Sequence, residues 1–411
     1  MGYKKNALKG ITWMGSLRIF TRGVAYIKIA IIARILTPHQ FGLFGIASLV
    51  LIFLETLTGT GINVFLVQEK KIAKYLDTAW TISILRGILI SVAIALLAPA
   101  ISNFFDSSES QRLLLLISIV PFLRGFINPS IIDFRKKLEF HKEFKFKLSL
   151  FIIESVVTIV FALLTKEASS IIYGLIVGAL FEMVVSHVFI LPRPKLGCKR
   201  KYARKIIQKG KWVTSSGILN YLAHQGDDIV VGYLLSPASL GIYQNAFKIS
   251  SLPLTEVAQV VSSVTFPIYS KISGDLARLR NACGKVLVLT SFIIVPLGLI
   301  FYLFPKQIIL VILGENWLEA TGALQVLSIY GVIKAYLNTA KSIFHSLKRQ
   351  DVVARLSFLE FFALAVIIIP FIRQHDIIGA GYASVISVIV AFPVAMLTLS
   401  KLLYTPDKMD K

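Results

Sequence analysis

About twelve apolar segments, each close to the roughly 20 residues that cross a bilayer, divide the 44 Lys and Arg residues of this chain very unevenly. The segments read at 11–36, 41–67, 79–101, 112–132, 146–164, 170–191, 212–235, 240–268, 284–304, 320–345, 352–371 and 377–400. The two terminal stretches and the even-numbered loops carry 31 of the bases. The odd-numbered loops carry four: Arg112, Lys166, Lys306 and Arg373. Lys and Arg in short loops stay on the cytoplasmic side, so both termini are predicted inside the cell. The fold class is therefore an all-α polytopic membrane protein of the cytoplasmic membrane. A hydrophobic content of 55% against 16% charged residues fits that class and no soluble one.

The net charge of +22 does not imply a nucleic-acid partner. Most of the surplus flanks the spans, where it sets topology and attracts anionic membrane lipid. The two cysteines, Cys198 and Cys283, both fall in predicted cytoplasmic loops, which supports neither a disulfide framework nor a metal centre. The first apolar stretch contains Arg18, Arg22 and Lys28. It lacks the clean apolar run of a signal peptide and is expected to be retained as a helix.

Two halves are expected. Residues 192–211 hold nine bases and two prolines and separate six spans from six, giving lobes at 1–191 and 212–411 with a basic cytoplasmic linker between them. Residues 33–47 lie 199 positions before 232–246, with a Leu, a Pro, a Gly and an Ala in register, and the same offset pairs Trp13 with Trp212. In each copy Thr37 or Ser236 can cap a helix whose first residue is Pro38 or Pro237. Six spans per copy make the repeats parallel, related by a pseudo-two-fold axis along the membrane normal.

Nine bases fall inside spans: Arg18, Arg22, Lys28, Arg34, Arg86, Arg124, Lys248, Lys334 and Lys341. At about 3 kcal/mol each, exposing all of them at mid-bilayer would cost on the order of 25 kcal/mol. Arg34, Arg124 and Lys341 lie near span ends and are expected to snorkel. Arg18, Arg22, Lys28, Arg86, Lys248 and Lys334 are expected to face a polar interior, Arg18 and Arg22 on one helical face. The embedded acids, including Glu55, Glu154, Glu182, Asp227, Asp228 and Glu360, are fewer. The resulting cationic surplus in the first half suits an anionic cargo, because Arg binds phosphate oxygens through a fork of donors.

At the 199 offset Lys28 corresponds to Asp227, so the first span is cationic where the seventh is acidic. His224, Asp227, Asp228 and Glu360 are the candidate ion-coupling groups, for Na⁺ or a proton. The competing reading pairs Asp227 or Asp228 with Lys248 or Lys334. The chain has no Walker loop, no GxGxxG and no HExxH, so a nucleotide site or a metal within it is not expected, and no cofactor is expected beyond the coupling ion.

Residues 33–47, and the run Gln225-Gly226-Asp227-Asp228 continuing to Leu240-Gly241-Ile242-Tyr243, resemble the polysaccharide-transporter branch of the MATE/lipid-flippase superfamily, which includes Wzx-type O-antigen flippases. The resemblance implies two six-helix lobes around a V-shaped cavity. It implies a cargo of undecaprenyl-pyrophosphate-linked oligosaccharide, carried outward by alternating access for polysaccharide biosynthesis, with polymerase and chain-length proteins as partners. Arg18 and Arg22 match the family's pyrophosphate contacts. A MATE-like antiporter of drugs or metabolites shares the architecture, but its cargo is usually cationic and would favour an acidic first lobe. A membrane polymerase or ligase would need catalytic groups on a sizeable outer loop, and the outer loops here are short, so an enzyme is not expected.

Overall fold

The computed structural model describes residues 2–69 and 71–404, and every regular element among them is helical. The α-helices are α1 (Gly2–Ala33), α2 (Pro38–Leu57), α3 (Ile62–Gln68), α4 (Ala73–Phe104), α5 (Ser108–Ile117), α6 (Ile119–Gly125), α7 (Asp133–Lys136), α8 (Phe140–Thr165), α9 (Ser169–Phe189), α10 (Arg200–Leu234), α11 (Pro237–Ile272), α12 (Leu276–Leu303), α13 (Pro305–Ile312), α14 (Ala320–Ser346) and α15 (Gln350–Tyr404). The caps read from sequence form as expected. Thr37 accepts from the Gln40 amide while Gln40 accepts from the Thr37 amide, with Pro38 in the first turn. Ser236 accepts from the Ser239 amide ahead of Pro237. Both arrangements satisfy backbone donors that a helix start leaves open.

The chain forms two compact units, Met1–Gln225 and Gly226–Lys411. Their border falls within α10, whereas the lobes at 1–191 and 212–411 stay our proposal. The basic stretch ahead of α10 is fastened to the first unit. Asp77 accepts from the Lys195 amide at 2.9 Å and Thr78 from the Lys199 amide at 3.2 Å. Lys205 at the start of α10 donates to Glu69 at 2.7 Å and to the Tyr75 hydroxyl at 3.1 Å. Those hydrogen bonds, Glu69 first, hold its ammonium above the ordinary lysine range. Ile206 is buried beside Phe65, Leu66 and Leu76.

In the first unit α2, α4, α5 and α9 bury a shared core including Leu51, Ile94, Leu114 and Ile172. The opposite stripe of α4, with Leu85, Leu89, Val92 and Leu96, is exposed. Spacings of three and four residues put that stripe on one face, and an apolar face of this length belongs in lipid. Where α4 crosses α6 there is no room for a side chain. A Cβ at Gly87 would stand 2.5 Å from the Pro121 carbonyl oxygen and 3.0 Å from the Gly125 Cα.

In the second unit α14 packs against α11, α12 and α15, burying Leu337, Ile343, Phe344 and Leu356. The helix α15 is interrupted at His375 and Asp376, the latter with φ 50°, between the predicted spans 352–371 and 377–400. Glycine is required beyond the bend, since a Cβ at Gly379 would lie 2.0 Å from the Phe371 carbonyl oxygen.

Among the described residues, seven helices are long and apolar enough to cross a membrane, or eight if the bent pair Ser108–Gly125 and Pro129–Lys136 is one span. The protein is thus a multi-pass membrane protein. Missing from the seven are α1, α10 and α11, the helices that carry Arg18, Asp227 and Lys248. A total of twelve spans stays a proposal.

Candidate functional site

Two spans expected to be continuous are broken in the first unit, and both breaks open onto one cavity. The predicted span 41–67 stops at Leu57 and resumes at Ile62, with Gly61 in the left-handed region at φ 59°. The predicted span 112–132 ends as a helix at Gly125, and the chain then turns by 68° into Pro129–Lys136. Irregular backbone at membrane depth persists only where protein or a wet cavity satisfies its polar groups. Here the cavity has a volume of about 510 Å³ and is lined by residues 59–64 of the first break and 127–129 of the second. Broken spans of this kind mark binding sites in transporters.

Its walls are charged. Arg86 donates through Nη2 to the Glu55 carbonyl at 2.6 Å and through Nε to the Thr58 hydroxyl at 3.1 Å, covering the open C-terminal end of α2. A cation there also complements the helix dipole. Arg124 Nη1 lies 2.9 Å from Glu55 Oε1. Arg135 and Lys147 both reach Glu143 Oε1, at 2.8 and 2.9 Å. With Glu182, the lining holds four bases against three carboxylates. Arg86 lies seven residues inside the predicted span 79–101, about 10 Å deep at 1.5 Å per residue.

Arg18, Arg22 and Lys28 do not line this cavity. Arg18 is half-buried and Arg22 exposed on α1. Lys28 pairs with Glu154 on α8 at 3.0 Å, its ammonium 5.2 Å from the Phe151 ring centre. Arg124, expected to snorkel, is instead drawn to Glu55, because a carboxylate in the wall is a nearer partner than the interface.

In the second unit, Asp227 is buried and accepts from the Tyr243 hydroxyl at 2.8 Å and from the Asp228 amide at 3.0 Å. Ser384 lies 3.2 Å from the same hydroxyl. Asp228 accepts from Gln244 Nε2 at 3.0 Å. Among the described residues neither carboxylate forms an ion pair, while the charges of Lys334 and Lys248 act on Asp227 and Asp228 from further off. His224 is exposed and Lys248 half-buried.

A family model described as "Polysaccharide biosynthesis protein" matches residues 31–322, a stretch that contains the whole cavity of the first unit together with Asp227, Asp228, Tyr243 and Gln244. The chain belongs to that family. It is similar to the lipopolysaccharide biosynthesis protein WzxC of Escherichia coli K12, 25% identical over 95% of this chain and 79% of the relative. It is also similar to the teichuronic acid biosynthesis protein TuaB of Bacillus subtilis 168, 22% identical over 84% and 72%. Among solved structures, the lipid II flippase MurJ in an inward closed conformation superposes with a TM-score of 0.75 at 18% identity, over 95% of this chain and 87% of that one. An inward-facing MATE multidrug resistance transporter superposes with a TM-score of 0.68 at 16% identity, over 94% and 96%. These likenesses give the fold: that of the MurJ and MATE transporters.

Beyond the matched stretch, this member of the polysaccharide biosynthesis family carries a charge triad. Glu360 on α15 binds Lys334 through one oxygen and Lys341 through the other, at 2.6 Å for Lys341. Lys341, also 3.0 Å from Ser357, is thereby held inside the unit and does not snorkel. All three side chains are at most 14% exposed. Glu360→Gln should strand two lysines and destabilise the protein by about 3–5 kcal/mol, read as a large fall in the melting temperature of the purified protein. A melt unchanged from wild type would show the triad to be solvated.

Sequence reasoning named Arg86 among the candidates but passed over Arg135, Lys147 and Asn63, which also line the cavity. The available signals were the breakers Gly59-Thr60-Gly61 and Asn128-Pro129.

Proposed function

We propose that this protein is a flippase that carries an undecaprenyl-pyrophosphate-linked oligosaccharide across the cytoplasmic membrane for polysaccharide biosynthesis. It works by alternating access and without covalent chemistry. The observation that carries this reading is the base-rich cavity where two broken spans meet, in a member of the polysaccharide biosynthesis family. Arg86 and Arg124 hold the pyrophosphate there, and Arg18 and Arg22 on α1 contribute further cationic contacts along its path. The names of the relatives, lipopolysaccharide and teichuronic acid biosynthesis proteins, support a glycan cargo, and polymerase and chain-length proteins would receive it. A lining with four bases against three carboxylates disfavours the drug-antiporter reading, whose cargo is usually cationic.

The test is transport in proteoliposomes loaded with undecaprenyl pyrophosphate bearing a fluorescent saccharide. The expected result is protein-dependent movement of the label between leaflets. Exchange of cationic dyes with no movement of the lipid would replace this reading with the antiporter.

Both termini are proposed to be cytoplasmic. Cys198 is exposed and Cys283 buried, so a membrane-impermeant maleimide should label Cys198 in inverted vesicles and leave intact cells unlabelled. Labelling of Cys198 from outside intact cells would reverse the orientation.

A further inference from the structure

The cavity of the first unit contains one group that the pyrophosphate reading leaves without work. Glu182, on the membrane-spanning helix α9, lines the cavity, is half-buried, and forms no hydrogen bond or ion pair among the described residues. An ionisable side chain at that depth is costly to keep unless it serves a site. Glu143, also in the lining, is almost fully buried and places both of its cations on one oxygen, leaving Oε2 without a partner. Asn63, at the first break, presents an exposed side-chain amide to the same space.

Carboxylates do not help bind a pyrophosphate; they repel it. A cavity built for the anion alone would be improved by removing Glu182. Its presence in one lining with Arg86, within electrostatic reach of Arg124 and Lys147, calls for an occupant that is anionic at one end and, next to that end, neutral and rich in hydroxyl donors. A carboxylate accepts hydrogen bonds at up to four lone-pair sites and can take two neighbouring hydroxyls at once. The volume of about 510 Å³ falls within the range of roughly 300–1,000 Å³ of small-molecule sites, ample for a phosphosugar.

We infer that Glu182, with Asn63 in the lining of the same cavity, reads the hydroxyl groups of the sugar attached to the pyrophosphate, so that this cavity distinguishes a glycosylated carrier lipid from the bare one. The inference rests on the flippase reading above and adds to it a specificity-determining residue. It gives the protein a means of refusing unloaded carrier, which shares the pyrophosphate but lacks the hydroxyl donors.

The experiment compares binding of two probes to the purified full chain in nanodiscs: undecaprenyl pyrophosphate, and undecaprenyl pyrophosphate bearing a single N-acetylglucosamine. Wild type is expected to prefer the glycosylated lipid by about tenfold or more, the scale of one or two hydrogen bonds to a charged group. Glu182→Gln should reduce that preference to within about twofold while bare-lipid affinity stays the same or rises, as repulsion is relieved. Should Glu182→Gln fail to fold, Asn63→Ala in the same lining must show the same loss of preference. Equal binding of both lipids by wild type overturns the inference and leaves the flippase reading standing. So does a Glu182→Gln variant that keeps the preference and changes only the pH dependence of flipping, which would make Glu182 a proton carrier. Failure of wild type to bind either lipid removes the flippase reading itself.

Discussion

Arg124→Ala should lower flipping of the lipid-linked saccharide by about a hundredfold or more while the protein stays folded in the membrane. Each hydrogen bond to a charged group contributes about 1.5–3 kcal/mol, and a guanidinium can give two to a pyrophosphate. Losing both amounts to about two decades or more in rate or affinity. The structural cost is much smaller. Arg124 and Glu55 are 39% and 28% exposed where they face the cavity, so their ion pair is part-solvated and contributes nearer 1 kcal/mol. Transport and abundance should therefore separate in one variant, measured by proteoliposome flipping and by membrane immunoblot. Arg124→Lys should recover part of the activity, since it restores the charge without the fork. The sharper comparison is with Arg18→Ala/Arg22→Ala. If that double variant abolishes export while Arg124→Ala transports normally, the pyrophosphate site lies on α1 and not in the cavity of the first unit.

How much of this was legible in the sequence depended on whether a feature announces itself locally. The Thr37-Pro38 and Ser236-Pro237 caps did, because a hydroxyl followed by a proline has few other uses at a helix start. The acidic step at Asp227-Asp228 stood out because charge is rare in apolar helices. The broken spans did not stand out. Thr58, Gly59, Thr60 and Gly61 lie within an otherwise apolar window, and hydropathy averages over the end of α2 at Leu57 and the left-handed Gly61 that precedes α3. The sites of Arg124 and Lys341 depended on Glu55 and Glu360, which are 69 and 19 positions away. Span-by-span reading cannot see such partners, and so it sends the base to the interface. The 192–211 segment was read as a linker from its charge, but Lys195 and Lys199 are held through their backbone amides, which composition does not encode.

Asp227→Asn should make flipping indifferent to imposed ion gradients while leaving cargo binding within about twofold of wild type. Asp227 is a buried carboxylate whose partners among the described residues are a tyrosine hydroxyl and a backbone amide. Burying a carboxylate is costly unless a cation or a proton accompanies it, and the charge of Lys334 acts on Asp227 from beyond ion-pair distance. We propose that Asp227 exchanges Na⁺ or a proton with its surroundings, since the chain contains no nucleotide-binding motif that would offer another energy source. Two further oxygens stand close by, the Tyr243 hydroxyl and Ser384 Oγ, and oxygen ligands are what hard cations require. The neighbouring Asp228 points about 100° away around the helix and is engaged by Gln244 on α11. Asp228→Asn should therefore have the smaller effect. The asparagine at 227 keeps one acceptor for the Asp228 amide, and the Tyr243 hydroxyl can turn to Ser384, so the fold should tolerate the change. The measurement is initial flipping rate in proteoliposomes under imposed Na⁺ and proton gradients, each against a no-gradient control. A variant that still responds to the driving gradient as wild type does would make Asp227 a structural acceptor for Tyr243 and nothing more. Loss of response to one gradient only would identify which ion the wild-type carboxylate exchanges.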